Sequence, residues 1–93
     1  MSNARESDIN QIFGNVLKTY RSNLGISQEE LAFRADVDRT FVSRLERGVR
    51  QPTITTLIGL ANALDVSAAD LVRDTETAYK RNSSAKQRKK KTS

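Results

Sequence analysis

Arg39, Arg44, Arg47 and Arg50 fall within twelve residues, with Thr40 and Ser43 among them. A guanidinium is a permanently charged fork of N–H donors that matches a phosphate or the paired O6 and N7 acceptors of guanine. The two short hydroxyls can contact a base edge or a phosphate, and a threonine can also meet a thymine methyl. Such a set is suited to gripping an acceptor-rich polyanion rather than to making or breaking bonds. The chain has no histidine and no cysteine. That removes the commonest general base, the thiolate nucleophile and the usual zinc ligands. Glu29 and Glu30 are adjacent and diverge on a helix, and no glycine-rich phosphate loop is present. No catalytic residue, metal, cofactor or small-molecule ligand is therefore expected.

These donors need rigid elements to aim them, and the apolar pattern supplies helices. Apolar residues recur at helical spacing almost throughout, without period-two clusters of β-branched residues, so an all-α domain is expected. A first helix starting after Ser7 or Asp8 would turn Ile9, Ile12, Phe13, Val16, Leu17 and Tyr20 inward, slightly weakened by Gly14. Asn23 and Gly25 end it. Ser27 and Glu30 form a capping box for a second helix that buries Leu31, Ala32 and Ala35. A three-residue connection, Asp36 to Asp38, leads to a third helix capped by Asp38 and stopped at Gly48. Val42 and Leu45 take its inward face, leaving Arg39, Thr40, Ser43, Arg44 and Arg47 outside. After Pro52, Thr53 caps a fourth helix expected to bury Ile54, Leu57, Leu60, Ala61 and Leu64. Ser67 and Asp70 open a short fifth helix with Leu71 and Val72.

Two short helices joined by a tight turn, the second studded with basic and polar groups, match the needs of major-groove reading. The stretch G-I-S-Q-E-E-L-A at 25–32, then V-S-R-L-E-R-G at 42–48, Pro52 and L-I-G-L-A-N-A-L at 57–64 resemble the Cro/C1-type (XRE) helix-turn-helix regulators. The resemblance implies a five-helix, lambda-repressor-like domain binding double-stranded DNA at an operator. It also implies roles. Gln28 would grip a phosphate while supporting the recognition helix, and Ala32 would keep a close helix approach open. Glu46 would be a buried acid paired with Arg21. The turn position usually held by glycine is Asp36, which tolerates a left-handed backbone better than most residues. The run at 29–48 is further similar to controller proteins of restriction–modification systems.

The expected division of labour follows. Arg39, Thr40, Ser43 and Arg44 are candidates for base contact, and Ser27, Gln28, Arg47, Arg50 and Thr53 for the DNA backbone. Arg21, Ala32, Val42, Leu45 and Glu46 are structural. Ser27 is first of all a cap, and the amides at the start of the fourth helix favour phosphate near Arg50. The same fold in an antitoxin-like protein-interaction module, without DNA readout, is the alternative; it gives no reason for three exposed arginines at 39, 44 and 47.

Charge divides the chain. Seven of its sixteen basic residues and none of its eleven acids lie in 79–93, so residues 1–78 carry a net charge of −2. The expected organisation is an arm at 1–8, the helix-turn-helix domain at 9–76 and a disordered basic tail at 77–93. The tail would act as an electrostatic tether to DNA. No apolar run is long enough to span a bilayer, and a cytoplasmic location is expected. Ile58, with Leu71 and Val72, would seed a homodimer built on the fourth and fifth helices, since short operators are read as two half-sites.

Overall fold

A computed structural model describes the backbone of residues 2–92 and the side chains of residues 6–82. Among the described residues there are five helices and no strand: α1 (Ser2–Leu24), α2 (Gln28–Ala35), α3 (Arg39–Glu46), α4 (Ile54–Ala63) and α5 (Ala68–Thr92). The core gathers one stripe from each. Phe13 and Leu17 come from α1, Leu31 and Ala32 from α2, Val42 and Leu45 from α3. Leu57, Leu60 and Ala61 of α4, then Leu64 and Leu71, complete it. α1 lies between α3 and α5, while α2 bridges α3 and α4.

The helix ends follow local chemistry. Gly25 closes α1 at a φ of 76°, a left-handed conformation open to glycine at no cost. Ser27 Oγ accepts the Glu30 amide, but only half of the expected capping box forms. The Glu30 carboxylate instead takes Arg34 one turn on, at 2.8 Å. Asp38 stands at the N-cap of α3 without a side-chain cap hydrogen bond; its carbonyl starts the helix by accepting from the amides of Phe41 and Val42. Thr53 and Ser67 cap as expected, accepting from the amides of Thr56 and Asp70.

Three further expectations are corrected. Ile54 is 72 % exposed rather than buried, because it occupies the first position of α4, one turn before Leu57 enters the core. Leu71 is fully buried and so belongs to the core rather than to a self-association patch. The outer helices are also longer than expected. α1 begins at Ser2 rather than after residue 7, and α5 continues past 76 instead of giving way to a tail. Its extra turns have a surface to lie on: Ala78 and Asn82 line a cleft with Ile12, Val16 and Tyr20 of α1. The Tyr20 hydroxyl donates to Asp74, and Thr75 Oγ1, buried, donates to the Leu71 carbonyl. Lys86, Arg88, Lys89, Lys90 and Lys91 of the expected tail lie outside the described side chains.

Candidate nucleic-acid interface

The sharp division of α3 creates the site. Val42 and Leu45 are fully buried, and Phe41 packs partly against the same core. The opposite face presents Arg39, Thr40 and Arg44 as exposed and Ser43 as half-buried, with Arg47 exposed at the C-cap. The α2–α3 connection fixes this orientation. Asp36 adopts φ 58°, ψ 46°, and its neighbour Val37 donates its amide back to the Ala32 carbonyl. Ala32 is itself only 4 % exposed, where a larger side chain would meet the packed core.

Glu46 is the one acid between Arg39 and Thr53, and it is buried. Arg21 holds it in a bidentate grip, with Nε on Oε2 at 2.6 Å and a terminal nitrogen on Oε1 at 3.0 Å. Gln28 Nε2 adds a third donor to Oε1 at 3.0 Å. The other terminal nitrogen of Arg21 donates to the Ile26 carbonyl. The hydrogen bond Arg21 donates to Glu46 raises the Arg21 pKa above its ordinary value, outweighing the opposing effect of burial. One carboxylate thus ties α1, the start of α2 and the end of α3 together.

This arrangement has an electrostatic consequence. With Glu46 buried and neutralised, the exposed surface from Arg39 to Thr53 carries four arginines and no acid. Arg39, Arg44, Arg47 and Arg50 make no ion pair among the described residues, whereas Arg21, Arg34 and Arg73 do. Four permanent cations therefore face solvent with their donor forks uncommitted.

The expected backbone-contacting residues differ in what they have left to offer. Gln28 keeps one amide N–H and its carbonyl oxygen after serving Glu46. The Ser27 hydroxyl has accepted its cap bond and retains its proton. Thr53 both accepts from the Thr56 amide and donates to the Thr56 hydroxyl, so its side chain is occupied within the chain. Arg50 is exposed in the turn just before α4. Sequence reasoning assigns Phe41 no role and gives Gly14 only a small helix penalty, yet Gly14 lies against the end of α3. A glycine in the middle of a strong apolar stripe is the signal that could have found it.

A second surface lies on α4 and α5. Ile54, Ile58 and Val72 are exposed, and Val72 borders an apolar groove with Ile9, Phe13, Pro52 and Leu57. Among the described residues no single helix is long and apolar enough to cross a membrane, and no group of His, Cys, Asp or Glu side chains could hold a metal ion.

Comparison with known proteins bears on this geometry. A family described as helix-turn-helix matches residues 17–71. An HTH-type transcriptional regulator of Sinorhizobium fredii is 39% identical over 69 residues, which make up 74% of this chain and 90% of that protein. The crystal structure of the restriction-modification controller protein C.AhdI from Aeromonas hydrophila is 39% identical and covers 67% of this chain and 94% of its own, with a TM-score of 0.66. A point mutant of C.Esp1396I, bound to its highest affinity operator site, is 31% identical and superposes with a TM-score of 0.70 over 76% of this chain and 93% of that one.

Proposed function

This chain belongs to the helix-turn-helix family of DNA-binding transcription regulators, and on that premise we propose that it docks as a homodimer on a two-part operator, with α3 in the major groove. Arg39, Thr40, Ser43 and Arg44 read base edges. Arg47, Arg50 and Gln28 hold the phosphates on either side, with help from the Ser27 hydroxyl and the amides at the start of α2 and α4. Thr53 acts as a cap whose backbone, more than its hydroxyl, lies near phosphate. The carrying observation is the row of four arginines around α3 that make no ion pair among the described residues, with Glu46, the one acid between Arg39 and Thr53, buried under Arg21.

Two further assignments belong to this proposal. Similarity to restriction-modification controller proteins supports a role as such a controller, acting in the cytoplasm on a promoter that includes its own. The exposed Ile54, Ile58 and Val72 support a dimer formed through α4 and α5. Lys80 and Arg81, with the five cations that follow, add affinity that does not depend on sequence. A gel-shift titration against the DNA just upstream of the reading frame tests the core of this reading. A shift that survives an excess of unrelated duplex is expected, and no shift at low salt would refute it.

A further inference from the structure

We infer that Gly14 is a positioning residue for the recognition helix: by having no side chain it lets α1 seat the C-terminal end of α3, and so sets the angle at which Arg39, Thr40 and Arg44 are presented. The inference rests on the proposal that α3 reads base edges. A Cβ at Gly14 would lie 2.5 Å from the Leu45 carbonyl oxygen and 2.6 Å from that of Glu46. Both obstacles are backbone, so no side chain can swing aside. Gly59, also within a helix, shows the contrast: its Cβ would find nothing nearer than the Ala35 carbonyl oxygen at 3.9 Å. Gly14 is therefore fixed by a neighbouring helix, and that neighbour is α3.

The polar and close backbone contacts from α1 gather at the C-terminal end of α3. Arg21 holds Glu46, Gly14 abuts the Leu45 and Glu46 carbonyls, and Gln11 backs onto Gly48, where an added Cβ would sit 2.9 Å from the Gln11 Cα. Just beyond, Gln51 donates to Asn10 of α1 at 2.7 Å. The opposite end of α3, with Arg39 and Thr40, stands exposed. α1 thus holds the C-terminal end of α3 while the α2–α3 connection holds the other, and the eight residues between span ~12 Å. A methyl at Gly14 must push the C-terminal end back by roughly half an ångström or more, which matches the ~0.5 Å within which a binding constellation must be kept. Close-packed interiors transmit such a displacement rather than absorb it.

The test is Gly14→Ala in the full chain, with affinity measured for the operator duplex and for a scrambled duplex of equal length and salt. Helical content is followed in parallel by circular dichroism. Operator affinity is expected to fall about tenfold or more, the scale of losing one good base contact, while affinity for the scrambled duplex stays unchanged. Gly59→Ala, the control, should leave both affinities unchanged. Should Gly14→Ala lose helical content, the measurement is repeated in the Gly59→Ala background with sucrose, which favours the folded state. Retained operator preference would overturn the inference. So would parallel loss of both affinities with helical content, or failure to fold even in sucrose, since Gly14 would then serve the fold alone. Wild-type protein that prefers neither duplex would instead refute base reading by α3, and this inference with it.

Discussion

A carboxylate among four arginines would ordinarily blunt the charge they present. Glu46 does not, because it is buried and accepts three hydrogen bonds from Arg21 and Gln28 on the inner side of α3. The pair is well buried, with side-chain exposures of 13% and 3%. Arg21→Ala should therefore cost about 3–5 kcal/mol in urea denaturation by stranding the Glu46 charge, and Glu46→Gln, which keeps an acceptor for the less buried Arg21, should cost less. Tyr20 carries a second prediction. Its hydrogen bond to Asp74, then burial, raises its pKa above 10.0, so the folded chain favours the protonated phenol. Above pH 10 the unfolded chain binds fewer protons than the folded one, and stability must fall as pH climbs through the folded value. Below pH 10 the contribution is fully present. Tyr20→Phe should lower stability at neutral pH and flatten the alkaline limb of a thermal-melting series; an unchanged limb would rule out the contact. The Arg21–Glu46 pair was legible only through family resemblance, since twenty-five residues separate the partners. The Tyr20–Asp74 contact was not legible, because it needs α5 to run alongside α1.

Within elements, the starts were readable wherever a hydroxyl preceded the helix, at Ser27, Thr53 and Ser67. They were less so at Asp38, where the backbone carbonyl alone does the work. The apolar period correctly sorted Val42 and Leu45 from the polar face of α3, since a buried stripe and an exposed one alternate within two turns. It misjudged Ile54, because periodicity cannot tell a first-turn residue at the rim from one over the core. The turn before α3 yields a prediction of its own. Asp36 is left-handed, so Asp36→Val should destabilise by about 1–2 kcal/mol while Asp36→Gly does not, as measured by thermal melting. Gly59, mid-helix with room beside it, should gain roughly 0.5–1 kcal/mol on replacement by alanine.

Across the whole molecule, two features lie away from α3. Ile54, Ile58 and Val72 expose apolar area on α4 and α5; if the native chain forms the proposed dimer, Ile58→Asp should leave a folded monomer in sedimentation equilibrium at the same concentration. A native chain that stays monomeric with and without DNA would refute the proposed dimer. Charge is the other whole-molecule property. The mildly acidic residues 1–78 leave the chain's excess positive charge to the cations from Lys80 onward. Truncation after Asn82 should flatten the salt dependence of binding by ~0.9 in log–log slope for each phosphate the shortened chain no longer neutralises, with operator preference intact. Composition made the charge split plain. It concealed that α5 continues beyond 76, because Ala78 and Asn82 add too little apolar area to mark a helix face without α1 beside them.

The separation of holding from reading on α3 also bears on how such regulators diverge. Val42, Leu45 and Glu46 keep the helix in place, while Arg39, Thr40 and Arg44 contribute nothing to its packing. Exchanging the outer residues should thus be nearly neutral for the fold and, under the proposed base reading, would redirect the target. On that reading one scaffold could serve several addresses, each reached through a handful of surface substitutions.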